Sequence, residues 1–410
     1  MNRPSTDFVN RSTASKPVAL LLAAEAPYPT AGGGAIRTAS LLEYLASNFS
    51  LDLIVFREPS SPHPADAIPP RIVCKIDTVD LPFHSKHPIA RLLRNASRLT
   101  RNRPPLLDRF SGFERQIAAI VSSRHYDVAV LDHFWTAPYA ALLRERTKRL
   151  ILDLHNVDSA WHHSMADSER GLPAVAFRRF AQASLDFECQ WLPQFDDILT
   201  TSPSDADLVR AIVPAARVSV YPNALPYVAP PPRAERLEIV FSGNLEYPPN
   251  IQAVRFFHDK VWPALQSRWP QLRWKILSKN PGAIQSLAAR DPRIELTGFV
   301  DDAISVLAQS QVAVVPVLAG SGTRIKILEA WAARTPVVST PLGAEGLECR
   351  DGEHLVLAEH PESFATAVSE LLALPDDRAR IGAAGRRLYE ERYTWQSAWK
   401  ALDPIFLAQR

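Results

Sequence analysis

Arg324, Lys326 and Glu329 stand in the stretch Gly320-Ser-Gly-Thr-Arg-Ile-Lys-Ile-Leu-Glu-Ala-Trp331, which follows an apolar run ending at Pro316 and opens a helix predicted to end near Arg334. Gly320 and Gly322 let backbone approach a ligand closely, and a helix N-terminus offers unpaired N–H groups at the positive end of its dipole. Arg324 and Lys326 place mobile cations at that same end, where they cost helix stability unless an anion binds. A diphosphate is the expected guest. Thr323, Lys326 and Glu329 recur at i, i+3 and i+6 on one stripe, and the Glu329 carboxylate suits two ribose hydroxyls. The plain alternative is a surface Lys–Glu pair on a core helix.

Other polar groups stand where apolar runs end. His155 and Asn156 close the run Leu150–Leu154, where a neutral imidazole could hydrogen-bond a sugar hydroxyl or a phosphate oxygen. Asp132-His133 closes the run beginning at Asp127 and could line an acceptor side, with a purely structural role equally open. Gly32-Gly33-Gly34 follows Val18–Ala24 but lacks the spacing of a dinucleotide fingerprint, and Phe56-Arg57-Glu58 supplies no clear acidic partner, so an oxidoreductase is weakly supported. Arg37 follows this loop, where it either meets an acceptor anion or is simply solvated. Asp205-Ala-Asp207 has the form of a metal-binding pair, yet it opens a helix after Ser202-Pro203, where Asp205 completes a cap, and no metal is implied. His162-His163 lacks zinc-helix spacing and reads as surface.

These groups need elements to hold them. Apolar runs of strand length alternate with helical patterns from Val18 to Tyr221, and the rhythm restarts at Glu238, continuing through Leu272–Leu277, Ile294–Leu296, Val312–Pro316 and Val337–Ser339. A helix from Ile251 to about Leu265 is predicted between the first two. The prolines 222, 226 and 230–232 form a stiff connection. The expected organisation is an α/β chain with two Rossmann-like, doubly wound parallel-sheet domains facing a central cleft. Residues 1–225 form the first, 226–236 a linker, 237–392 the second, and 393–410 a final helix, near Trp395–Ala408, that crosses back.

Composition sets the outer limits. The 410 residues are 46% hydrophobic and 22% charged, which is ordinary for a folded soluble protein. A net charge of +2 gives no polybasic field for nucleic acid. The three cysteines, Cys74, Cys189 and Cys349, lie far apart, so neither a disulfide framework nor a zinc site is indicated and a reducing cytoplasm is expected. Pro17–Ala24 is too short to span a bilayer and lacks the flanks of a signal peptide.

The stretch from Gly320, continued through Ala330-Trp-Ala-Ala-Arg-Thr-Pro-Val-Val-Ser-Thr-Pro-Leu-Gly-Ala-Glu-Gly-Leu347, resembles the donor-binding motif of glycosyltransferase family 4 in the GT-B superfamily. Phe241-Ser-Gly-Asn-Leu, Thr297-Gly-Phe-Val, Asp351-Gly-Glu-His and Arg392-Tyr-Thr-Trp395 extend the resemblance. It is thinner in the first half, where it rests on Pro27–Arg37, Asp153-Leu-His-Asn-Val157 and Tyr221-Pro-Asn223. The resemblance implies retaining, metal-independent transfer of a sugar from a nucleotide diphosphate sugar, a co-substrate rather than a cofactor. It gives Arg324 and Lys326 to the diphosphate, Glu329 to the ribose, and the backbone of Gly298, Phe299 and Val300 to the base. The loop glycines Gly33 and Gly34 would face the donor phosphates, with Gly243, Asn244, Gly320, Ser321, Gly322 and Thr323 completing the donor site. His155 is grouped with the catalytic pair Arg324 and Lys326, and Arg37 and Asp132 fall on the acceptor side. Two departures stand out: Ser321 lies where the family often has a glutamate, and Asn244 where many relatives carry a basic residue.

Residues 81–107 hold no acidic side chain but six basic ones, and Arg91, Arg94, Arg98 and Arg101 form a helical stripe opposite Ile89, Leu92, Leu93, Ala96 and Leu99. Residues 86–103 are therefore a possible contact with an anionic membrane, or an ordinary domain helix with a solvated arginine face. The expected acceptor is a glycan or a polyprenyl-diphosphate-linked one in cell-surface polysaccharide synthesis, at the cytoplasmic face of the plasma membrane. The alternatives are a sugar-nucleotide epimerase and a non-catalytic nucleotide- or glycan-binding subunit.

Overall fold

The computed structural model describes residues 16–30, 32–59, 61–85, 87–320 and 325–407. Strands β1 (Val18–Ala23), β2 (Ser50–Arg57), β3 (Lys75–Asp80), β4 (Tyr126–Asp132), β5 (Thr147–Asp153), β6 (Asp197–Thr200) and β7 (Val218–Val220) form one sheet in the order β3-β2-β1-β4-β5-β6-β7. Strands β8 (Arg236–Ser242), β9 (Arg273–Leu277), β10 (Ile294–Gly298), β11 (Ser310–Val315), β12 (Val337–Ser339) and β13 (Val356–Leu357) form a second, ordered β10-β9-β8-β11-β12-β13. Neighbours within each sheet run parallel. Helices cover both faces, so Ala19–Ala23 of β1 are fully buried and need an uninterrupted apolar sequence. In each sheet the winding reverses beside the first strand, between β1 and β4 and between β8 and β11, which opens a crevice at the carboxyl ends.

The two domains are tied by paired connections. Leu225 N–H donates to Tyr393 O (2.9 Å) and Trp395 N–H returns to Leu225 O (2.9 Å), so the outgoing linker and the returning tail run side by side. Arg386 donates to Ala332 O (2.6 Å) and Val228 O (2.7 Å), and Tyr389 Oη to Pro226 O (2.7 Å), clamping the proline segment to the Pro375–Arg392 helix. The tail does not form the single helix expected. It makes two short ones, Trp395–Trp399 and Asp403–Phe406, the second started by Pro404, whose ring cannot sit inside a continuous helix. Both return to the first domain, where Trp399 Nε1 donates to Ser40 Oγ (3.0 Å) and Phe406 packs edge-on to Tyr44.

Other expectations also shift. The helix after β8 runs Pro248–Phe256, widens into a π-turn over Phe257–Val261 and resumes as Trp262–Arg268, because Pro263 has no N–H for a regular bond. His162 is buried rather than superficial, 4% exposed, and burial pushes its pKa down to about 4. The basic helix forms as α2 (Pro88–Thr100), but its arginine stripe is split, with Arg91 and Arg101 exposed and Arg94 and Arg98 turned inward. Arg98 is 7% exposed and donates to Asp108, and Arg94 donates to Ser85 O, while Ile89, Leu92 and Leu93 are each more than 60% exposed. Lys86 lies outside the described residues. Among those described, no helix is long and apolar enough to cross a membrane.

The tightest helix contact in the second domain is at Gly382, where an added Cβ would stand 2.2 Å from the Arg334 carbonyl oxygen. Gly382→Ala is expected to destabilise the protein by about 1–3 kcal/mol, read as a lower urea midpoint.

Candidate functional site

The cleft between the carboxyl ends of the two sheets holds a cavity of about 790 Å³. Its walls bring together Gly33 and Gly34 from the first domain with Gly243, Asn244, Gly298, Phe299, Val300, Lys326 and Glu329 from the second. Gly33 and Gly34 begin helix α1 (Gly33–Asn48), directly after the β1 loop, and Gly243 and Asn244 follow β8. A Cβ on Gly33 would meet Ile325 Cγ1 at 3.3 Å, so the glycine loop faces the start of the Ile325–Ala332 helix across the cleft. At Gly34 a Cβ would come within 2.2 Å of Glu25 Oε1, leaving no room for another side chain.

Lys326 is held by groups on three elements. Its Nζ donates to Asn250 Oδ1 (2.6 Å) and lies 4.4 Å from the centre of the Phe241 ring on β8. Asn250 in turn donates to Asn244 O (2.8 Å), and a Cβ on Gly243 would come within 3.0 Å of both Lys326 Nζ and Asn250 Nδ2. Glu329, one turn further on, accepts from Ser242 Oγ (2.9 Å), and burial pushes its carboxyl pKa up, against the effect of that hydrogen bond and of Lys326. The helix carrying both is anchored by Trp331, fully buried, whose Nε1 donates to His354 O. Asn250, Ser242 and Lys279 also line the cavity and were not singled out from sequence. The one signal for Asn250 is its place after Pro248-Pro249 at the start of a helix, where a polar side chain faces back to the strand end.

Gly320 lies outside that wall. Its N–H donates to Ser164 Oγ (3.1 Å) on the Asp158–Ser168 helix of the first domain. Ser321, Gly322, Thr323 and Arg324 lie outside the described residues. The domains also meet through Trp161 Nε1, which donates to Tyr247 Oη (2.7 Å), and Gln252, which donates to Glu169 (3.0 Å).

The remaining expected residues form a buried charged network beneath the glycine loop. Asp132 and Asp153, both 0% exposed, end β4 and β5 side by side in register. His155 Nε2 lies 2.7 Å from Asp132 Oδ1 and 3.5 Å from Asp153 Oδ2. Although burial opposes it, these two carboxylates raise the His155 pKa to about 9, so the side chain is an imidazolium and not the neutral ring expected. Both aspartates are held well below the usual carboxylate range against their own desolvation, Asp132 by His133 and His155 and Asp153 by Arg37 and His155.

Arg37 is not a cleft ligand for an acceptor anion. It is 2% exposed and spends its guanidinium on Asp153 (2.5 Å), Tyr221 O (2.7 Å) and Asn223 Oδ1 (3.1 Å). Asp132 likewise faces inward, taking hydrogen bonds from Thr38 Oγ1 and lying 3.1 Å from His133 Nδ1. Asp132, His133 and His155 present ligand atoms within 4.8 Å of one another, the one group among the described residues with metal-site spacing. Proton-mediated contacts already occupy both Asp132 oxygens, and a protonated His155 has no lone pair on the shared nitrogen to give. At the start of the Pro203–Ile212 helix Ser202 Oγ is the cap, accepting the Asp205 N–H (3.1 Å), and the Asp205 carboxylate accepts from Thr201 Oγ1 and Ser202 Oγ.

Because its folded pKa is raised, His155 contributes stability that is full below its ordinary value of 6.5 and is lost as pH rises through about 9. Melting temperature is therefore expected to fall across that window in the native chain, and His155→Gln should flatten this part of the profile. An identical profile in the two proteins would contradict the charged state.

Comparison with known proteins bears on what such a cleft does. Residues 236–374 match the family described as glycosyl transferases group 1. The chain is 22% identical over 374 residues, 84% of its length and 88% of the other's, to an uncharacterized 44.6 kDa protein in the cps region of Klebsiella pneumoniae. It is 23% identical to D-inositol 3-phosphate glycosyltransferase of Streptomyces scabiei, covering 69% of this chain and 68% of that one. Among solved structures, sucrose-phosphate synthase from Thermosynechococcus elongatus superposes with a TM-score of 0.71 at 19% identity over 96% of this chain and 98% of that one. The Anabaena protein HepE, in complex with UDP and glucose, gives 0.65 at 13% identity over 95% and 99%. The parallel sheets and the cleft between them have the GT-B fold of these solved structures, and residues 236–374 of the second domain are similar to the glycosyl transferases group 1 family.

Proposed function

We propose that the enzyme moves a sugar from a nucleoside diphosphate sugar to a glycan or polyprenyl-diphosphate-linked acceptor, with retention at the anomeric carbon and without a metal or other cofactor. The observation that carries this reading is the convergence of Lys326, Glu329 and Gly243 with the Gly33-Gly34 loop on one cavity at the winding reversals of both sheets. The diphosphate lies between the glycine loop and Lys326, with Arg324 as a second cation, the ribose on Glu329, and the base along Gly298–Val300. As the bond from the anomeric carbon to the diphosphate breaks, negative charge grows on the leaving oxygen, and Lys326 is placed to meet it without prior rearrangement. The acceptor hydroxyl attacks from the face the diphosphate leaves, and its proton passes to a departing phosphate oxygen. Cationic side chains then do what a divalent ion does elsewhere. UDP in the Anabaena structure supports a nucleoside diphosphate, and the cps-region relative supports a role in cell-surface polysaccharide synthesis.

A nucleoside diphosphate at 100 times its Kd is expected to raise stability by about 2.7 kcal/mol. A thermal-shift series with UDP, GDP and ADP reads this, and Lys326→Met should abolish the shift while leaving the unliganded melting temperature within a few degrees. Turnover should survive EDTA. A shift that persists in Lys326→Met would remove the phosphate role assigned to that lysine.

The exposed face of α2 supports a cytoplasmic enzyme held peripherally on the inner membrane face. Phe83 is 85% exposed, Ile89 63%, Leu92 69% and Leu93 66%, and the exposed Arg91, Arg101 and Arg103 flank them. Apolar side chains at the acyl boundary with arginines at the headgroups, each contributing about 1 kcal/mol, match an anionic interface. Leu92→Glu with Leu93→Glu is expected to cut co-sedimentation with phosphatidylglycerol vesicles by about tenfold or more. Unchanged sedimentation of the folded double variant would exclude this face.

A further inference from the structure

The Asp158–Ser168 helix of the first domain carries two faces with different tasks. His162, Met165 and Ala166 are buried inward, and the helix start is fastened from behind. Trp135 Nε1 donates to Asp158 Oδ2 (3.2 Å), and the Ser159 N–H donates to Glu188 Oε1 (3.0 Å) on the Leu172–Trp191 helix. The Trp135 ring also lies 4.9 Å from that of His133, a member of the charged network beneath the glycine loop, so this helix and the loop share one frame. Trp161 and Ser164, three residues apart and therefore neighbours on the helix surface, reach the second domain instead.

Each of the two meets a segment that builds the donor wall. Trp161 Nε1 donates to Tyr247 Oη (2.7 Å), with the two rings 6.4 Å apart and 25° from parallel. Tyr247 lines the donor cavity, and its carbonyl accepts the Asn250 N–H (3.0 Å), so it begins the helix whose Asn250 holds Lys326. Ser164 Oγ accepts the N–H of Gly320 (3.1 Å), a buried residue with φ of 103°, backbone that glycine alone adopts readily. A buried N–H needs a partner, and this one finds it in the other domain. A third bond, from Gln252 Nε2 to Glu169 Oε1 (3.0 Å), joins the Asn250 helix to the residue after Ser168.

We propose that Trp161 and Ser164 are positioning residues of the donor site: acting through Tyr247 and Gly320, they make the affinity for a nucleoside diphosphate depend on closure of the first domain over the second. Neither side chain lines the donor cavity itself. The coupling is reciprocal, so a bound nucleoside diphosphate holds the cleft shut by the same factor. The inference rests on the donor reading above and adds a regulation of that site by the domain opposite.

Whichever of UDP, GDP and ADP raises the melting temperature of the native chain is titrated by isothermal calorimetry, well below every melting transition. Trp161→Phe, which keeps a ring but loses the N–H, and Ser164→Ala are each expected to weaken its Kd by about three- to tenfold, the effect of one net hydrogen bond. Ser164→Thr, which keeps the hydroxyl, should restore the native Kd. Adding Trp161→Phe to Tyr247→Phe should cost nothing further, because the bond between them is already gone. His163→Ala, at an exposed position on the same helix, should bind as the native chain does. A native Kd in Trp161→Phe and Ser164→Ala, even with lowered melting temperatures, would reduce both side chains to a structural role and overturn the inference. So would equal weakening by His163→Ala, or full additivity of the Trp161 and Tyr247 variants. A native chain that responds to none of the three nucleotides would overturn the donor reading and this inference together.

Discussion

The buried Arg37–Asp153 ion pair ties together the parts of the first domain that the cleft needs. A guanidinium and a carboxylate that are 2% and 0% exposed lose several kcal/mol of hydration each, a cost recovered only when every partner is in place. Here the partners come from three places: helix α1 behind the glycine loop, the end of β5, and Tyr221–Asn223 where the chain leaves the domain. Asp153 then fixes His155, His155 fixes Asp132, and Asp132 accepts from Thr38, whose hydroxyl also reaches Gly34 O. Gly34 is thereby tied through Thr38 to the charges below it.

In the second domain the same principle works with fewer charges. Lys326 sits in the first turn of its described helix, where the dipole disfavours a cation, and its compensation is a ring face, an amide oxygen and the close approach permitted by Gly243. The lysine is thus held in a fixed position at the strand end, beside the Glu329 carboxyl on the next turn.

Much of this was legible in the sequence, and the failures have physical causes. The fully buried strands announce themselves because both faces need apolar residues. The edge strand β3, with Lys75, Asp77 and Asp80 among its residues, carries no such run and escaped notice. Gly33, Gly34, Gly243, Lys326 and Glu329, named from sequence through the family resemblance and the helix-start pattern, come together on one cavity. Arg37 was misjudged because an isolated arginine after a glycine loop looks the same whether its partners are a ligand or the distant Asp153 and Tyr221. His155 was assigned the wrong charge for a related reason: its two carboxylates belong to different strands. The α2 pattern gave the helix, but periodicity cannot say which arginines of the stripe find partners: Ser85 and Asp108, outside the helix, take Arg94 and Arg98 inward while Arg91 and Arg101 stay exposed.

The connection after β11 carries a consequence for how the sugar is recognised. Val317, just after β11, lines the donor cavity, and the stretch Ala319-Gly-Ser-Gly-Thr323 that follows Leu318 is small and uncharged. Carboxylates on the donor wall are Glu246, Asp301 and Glu329, of which Glu329 is engaged with Ser242. Ser321 carries one neutral hydroxyl where a carboxylate would carry two strong acceptors, so under the proposed transfer this segment adds no negative charge to the three carboxylates of the wall. Across the cavity the first domain contributes Pro29, Thr30, Gly32, Gly33 and Gly34, and the His155 imidazolium lies beneath this loop, held by two buried aspartates. The loop that faces the second-domain wall is therefore tied from below, through Thr38, Asp132 and His155, to the Arg37–Asp153 pair, which couples the shape of the cleft to how the first domain folds.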